Sequence, residues 1–247
     1  MKRLAPLFAY LPWHARDAVM RALAPVLIAL GVIGIPVWAF FGSGDRGEVT
    51  DPRGAQMAVS IYQGGIPLVL AIGAIILMNQ VVALDREKQH FRFLLAHPVA
   101  AWEYYLQRFA VGLVLFVAAI ALVPLTFSAL VSDVPVIALM KAAALEGLLV
   151  GALATLCGVL VNKDGLALIG VFLLSKILQD LDKVDQLASW IEPIARGLPP
   201  IALEGEIRQQ LLSGTAVASG DLLHVVSYAI GMLAVALFLV KRLPLAR

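Results

Sequence analysis

The chain contains one cysteine and four histidines, and only 15% of its 247 residues are Asp, Glu, Lys or Arg. A lone Cys157, set inside an apolar run, excludes an intramolecular disulfide and a cysteine-based metal cluster. There is no G-x-x-x-x-G-K-[ST] segment, so the chain does not bind ATP through a phosphate loop. There is also no H-E-x-x-H or G-x-S-x-G and no cluster of His and Asp within the apolar runs, which argues against an intramembrane enzyme. His14, His90, His97 and His224 all fall at predicted membrane surfaces, so no metal site is expected. The net charge is only +2 and no basic aromatic platform accompanies it, which excludes a nucleic-acid footprint.

What the chain has in abundance is apolar surface. With 61% hydrophobic residues and a mean hydropathy of +0.89, it carries more than a soluble domain of this length can bury. The apolar runs suit helices crossing roughly 30 Å of hydrocarbon, not the ten-residue alternating strands of a membrane barrel. The expected fold is an all-α integral membrane protein, a six-helix bundle with spans at 22–41, 59–84, 109–131, 137–161, 165–178 and 222–240 in a single transmembrane domain over 1–247. An even number of spans puts both termini on one side. Pro6, Trp13, His14, Arg16 and Asp17 interrupt the first stretch, which therefore does not read as a cleavable leader.

Charge sets the orientation. On the side of the termini lie Lys2, Arg3, Arg16, Arg21, Arg86, Lys88, Arg92, Arg108, Lys163, Lys241, Arg242 and Arg247, which are 12 of the 19 cations. Of the 17 acids only Asp17, Asp85, Glu87, Glu103 and Asp164 share that side, leaving it positive by seven and the remainder negative by five. The positive-inside rule makes that side cytoplasmic, as in a bacterial inner membrane. Residues 1–21, with Leu4, Leu7, Phe8, Leu11 and Trp13 among Lys2, Arg3, His14 and Arg16, read as a segment lying along the inner interface, either a plain anchoring tail or a short helix from Trp13 onward.

The outer connections are unequal. Residues 42–58 read as a Gly-rich polar loop and 132–136 as a tight turn, while 179–221 is long enough to form a helical cap. Within it, Leu181, Val184, Leu187, Ala188 and Ile191 recur at helical spacing opposite Asp180, Asp182, Lys183 and Asp185, predicting a helix over 179–194. A break at 196–200 precedes a second helix over 201–212, with Ile207, Leu211 and Leu212 apolar and Glu204, Glu206 and Arg208 polar. The three aspartates lack the glycine turn and terminal glutamate of a calcium loop and read as a solvated acidic face.

Ionisable residues inside a membrane are costly and point to function. Glu146 stands about 14 Å from the outer end of the fourth span, close to the midplane. Lys141 is one turn from the outer end, where it can snorkel, and five residues before Glu146, roughly 140° around the helix, so the two are not natural partners. Lys176 has Asp180 one turn on as a partner. Beside Glu146 runs a small-residue stripe of Gly147, Gly151, Ala154 and Gly158, suited to a close helix seam or a translocation pathway. Glu146 is either a working carboxylate or a neutral acid that holds helices together. Pro25, Pro36, Pro67 and Pro124 lie within spans as potential kinks, and Asn79 and Gln80 sit near an inner end.

Residues 82–108 form a charged, amphipathic island between the second and third spans. Phe91, Leu94 and Leu95 share one helical face, with Arg86, Lys88 and Arg92 as a charged rim, a pattern that offers a docking knob to a soluble partner. The competing reading sinks those three in the headgroup layer, with Trp102, Tyr104 and Tyr105 as aromatic belt. Asp85-Arg86-Glu87, then Phe91, Leu94-Leu95, Pro98, Glu103 and Arg108, resembles the permease subunits of ATP-binding-cassette transporters of the second export type. The leading amphipathic segment, six spans and short outer helices before the last span are similar too. The resemblance implies that 85–108 is a cytoplasmic coupling region in which Asp85, Arg86, Glu87, Phe91, Leu94 and Leu95 contact a separate ATPase. On that reading the chain is no enzyme and binds no cofactor itself. ATP and Mg stay on the ATPase, and a second permease subunit, identical or paralogous, completes an export pathway among membrane lipids. Gln89-His90 stands where a Gly-Thr pair is common in that family, and His97 precedes the proline. A secondary transporter coupled to ions through Glu146 and a non-transporting membrane scaffold are the other classes that fit the composition.

Overall fold

The computed structural model describes residues 11–29, 52–78, 100–130, 134–161 and 164–242, together with residues 31, 34 and 82. Among them every regular element is a helix: α1 (Leu11–Ala29), α2 (Pro52–Met78), α3 (Ala101–Leu130), α4 (Val136–Leu160), α5 (Asp164–Lys183), α6 (Glu192–Gly197), α7 (Ile201–Ser213) and α8 (Ser219–Arg242). Three stretches are long and apolar enough to cross a membrane, Ala101–Ala129, Val136–Leu160 and Ser219–Val240, and α2 contributes the shorter apolar piece Gln63–Met78. The six spans expected from hydropathy are thus matched by three among the described residues. Much of the first predicted span and the end of the second lie outside those residues, and α5 carries Lys176, Asp180, Asp182 and Lys183 in its second half.

The hub is α4. Of its apolar window 78% is buried within the protein, against 44% for α3 and 33% for α8, so α4 is a central helix and the other two face outward on one side. It packs against α2, α3, α5, α7 and α8. Two apolar clusters surround it. Ile66, Leu70, Phe116, Ile120, Leu139, Ala143 and Val150 join α2, α3 and α4. Tyr105, Phe109, Leu149, Ile207, Val225 and Ala229 join α3, α4, α7 and α8. Hydroxyls inside the bundle bond back to their own helices, as a dry surround requires: Thr155 Oγ1 donates to the Gly151 carbonyl at 2.7 Å and Ser175 Oγ to that of Val171 at 2.7 Å.

Several element boundaries differ from the hydropathy reading, for identifiable reasons. Helix α2 begins at Pro52, inside the predicted polar loop, because proline at a first helical position loses no hydrogen bond. Helix α3 extends eight residues before the predicted span, so Tyr104 and Tyr105, offered as an aromatic belt, are core residues, whereas Trp102 is exposed. Helix α1 starts at Leu11 and runs through the supposed interfacial segment. His14, expected at a surface, is buried there with its ring edge-on to Tyr104 at 4.7 Å. The helix expected over 179–194 does not form. Instead α5 ends at Lys183, Asp185 turns the chain with φ 52°, and the short α6 follows at Glu192. Pro67 and Pro124 do lie inside helices; Pro36, Asn79 and Gln80 lie outside the described residues.

Candidate functional site

Helix α7 is placed by the residues at its two ends. Pro199-Pro200 stops α6 from continuing, since neither proline donates a helical hydrogen bond, but Pro200 as N-cap has no side-chain oxygen to offer. Gln179 of α5 fills that role. Its Oε1 accepts from the Ala202 N–H at 3.0 Å while its Nε2 donates to the Pro199 carbonyl at 2.7 Å. At the other end Gly214 adopts the left-handed conformation, φ 74°, and the N–H groups of Gly214 and Thr215 return to the carbonyls of Leu211 and Gln210. Lys183 pairs with Glu206, and Tyr228 Oη of α8 donates to the Gly197 carbonyl at 2.7 Å. The 179–221 segment, hereafter the lid, is therefore stitched to α5 and α8, and its α7 packs beside α4.

The lid is joined to the central helix by charge. Arg208 Nη1 donates to Glu146 Oε2 on α4 and lies 3.3 and 3.4 Å from the carboxylate oxygens of Glu204, one turn back on α7. Glu146 is 1% exposed and Glu204 2%. The sequence reading made Glu204 and Arg208 polar residues of this helix without a partner; in the structure both turn toward α4. Glu204, Arg208, Ile201 and Leu211 form one stripe of the helix at three- and four-residue spacing, and that stripe, together with the need of a midspan glutamate for a cation, was the available signal.

One guanidinium serves two carboxylates, so with both acids ionised the triad is negative by one. Burial, and next the charge of Glu146, push the Glu204 carboxyl up to about 8, with Arg208 and Lys176 acting in the opposite direction. The triad is neutral when its two carboxyls hold one proton between them. Glu146 Oε1 has no hydrogen-bond partner among the described residues. The arrangement is a buried cluster of two carboxylates and one guanidinium. What it can do is fasten α7 to α4 with a strength that depends on proton count.

The stripe beside Glu146 is a helix seam within the chain. A Cβ on Gly147 would stand 2.7 Å from Phe116 Cδ1 and 2.8 Å from Leu113 Cδ1 of α3, and one on Gly151 would stand 2.5 Å from Met78 Cε and 2.9 Å from Phe109 Cε2. Ala154 and Gly158 are buried on the same helix. Lys141 is exposed and, as its spacing implies, does not pair with Glu146; Lys176 does pair with Asp180, at 3.1 Å. Asp85, Arg86, Glu87, Phe91, Leu94 and Leu95 lie outside the described residues. Just beyond that island, Arg108 is buried in α3, 3.6 Å from Asp17 of α1, an ion pair the sequence reading did not anticipate. No family model matches the chain, and no curated protein matches it in sequence.

Proposed function

We propose that this chain is the membrane-spanning subunit of an ATP-binding-cassette exporter, forming the pathway with a second permease subunit and driven by a separate cytoplasmic ATPase. The observation that carries this reading is the lid: a short amphipathic helix, α7, packed against the central helix and held by the Glu146–Arg208–Glu204 triad. A pathway that opens in alternation needs a closure at one end that can be fastened and released, and an energy input at the other. In the expected topology the lid is extracytoplasmic, and the charged island at 82–108, with its Leu94-Leu95 knob and its Asp85-Arg86-Glu87 cluster, is the cytoplasmic input. ATP-driven closure of the ATPase pair would move the two islands and, through the bundle, loosen the lid. Pro67 and Pro124, inside α2 and α3, give those helices positions at which to bend.

The test is co-purification from native membranes in mild detergent, followed by an ATP hydrolysis assay. The reading expects a nucleotide-binding subunit in the complex, lost on Leu94→Asp or Arg86→Glu while the chain itself stays folded. A clean preparation with no such partner would overturn it and bring forward ion-coupled transport through Glu146.

A further inference from the structure

An apolar cavity of about 360 Å³ opens on the side of the bundle where α3, α4, α7 and α8 meet. Its wall is apolar, with Leu145 and Leu148 of α4, Ile207 and Leu211 of α7 and Val226 of α8, apart from one cation at the rim, Lys141. It lies in the size range of small-ligand sites. From Lys141 to Leu148 it runs along about two turns of α4, or ~10 Å. Lys141 makes no hydrogen bond or ion pair with any described residue. The nearby acid on its own helix, Glu146, lies roughly 140° around α4 from Lys141 and is already paired with Arg208.

The Lys141 ammonium stands about 8 Å inside the end of a membrane helix, exposed at this cavity and with no anion paired to it among the described residues. The wall below it matches hydrocarbon. We infer that the cavity is a lipid site, which takes one acyl chain of an anionic phospholipid from the leaflet at the lid end, with the lipid phosphate on Lys141. Ile207 and Leu211, which line the wall, lie on α7, the helix that carries Arg208, so an acyl chain in the cavity touches the lid directly. The inference stands apart from how the pathway is driven.

The experiment is native mass spectrometry of the purified chain, with phosphatidylglycerol and phosphatidylcholine of identical acyl chains as competing probes. The wild type should retain one phosphatidylglycerol in preference to phosphatidylcholine by about fivefold, the worth of one lysine near an anionic surface. Lys141→Gln, an exposed position that leaves packing intact, should abolish the preference. Ala144→Phe, which fills the cavity beneath the lysine, should lose both lipids, and an unchanged melting temperature would show that it still folds. Equal retention of the two lipids by the wild type, or a phosphatidylglycerol preference that survives Lys141→Gln, would overturn the inference. So would a chain that buries this face against a second copy and carries no lipid there.

Discussion

At the scale of single residues the molecule is organised by two kinds of economy around α4, charge and volume. Arg208 neutralises a glutamate that is 1% exposed, so Arg208→Ala leaves a carboxylate buried without a cation. We expect that change to destabilise the detergent-solubilised protein by about 3–5 kcal/mol in thermal unfolding. The Glu146→Gln/Arg208→Gln double variant should lose less than Arg208→Ala alone, because one buried carboxylate, Glu204, rather than two is left without its cation; equal losses would mean that the Glu146–Arg208 pair is not coupled. Volume is tested at Gly147. A valine there meets Phe116 and Leu113 at distances no real Cβ tolerates, and should cost about 1–3 kcal/mol. Gly170→Ala, with nothing within 4 Å, should be neutral or mildly stabilising by the same assay. Glu146 and its glycine neighbours were legible because a charge and a small-residue stripe stand out in an apolar run. Arg208 was not, because a cation on an amphipathic helix ordinarily faces water.

At the scale of elements the lid is the part with a pH dependence. The Glu204 carboxyl binds its proton more tightly in the docked lid than when released, so between its ordinary value of 4.5 and about 8 the docked state holds more protons. Docking is therefore strongest at low pH and weakens as pH rises through that window. Hydrogen exchange of residues 201–213 should quicken from pH 5 to pH 8, after correction for the intrinsic rate, and Glu204→Gln should flatten the trend. A trend unaltered in that variant would sink the assignment. Gln179→Ala should expose the first N–H groups of α7, raising exchange at 201–203 at a cost of about 1 kcal/mol, with the rest of the lid little changed. Helix α4 was read from sequence to within one residue at each end, since a Pro-containing turn and a polar Asn-Lys-Asp segment bound an unbroken apolar run. The helix expected at 179–194 failed for the opposite reason. Its apolar stripe found only part of a core to pack on: Val184 is 59% exposed and Ala188 is exposed as well.

At the scale of the whole molecule, the proposed function makes the island the input and the triad a proton-sensitive fastening, so that a push on the island would be converted into release of the lid. Helix α3 leads out of the island, crosses the bundle and forms the seam with α4 that lies beside Glu146, so a rigid tilt of α3 reaches the triad through Phe116 and Leu113. That continuity is the central claim, and hydrogen exchange of α7 in a complex with the proposed ATPase, with and without a non-hydrolysable ATP analogue, tests it most directly. The account predicts a change in protection over 201–213 when the nucleotide binds, abolished by Leu94→Asp. Protection of α7 that is the same in both states, in a complex shown to bind the nucleotide, would contradict it.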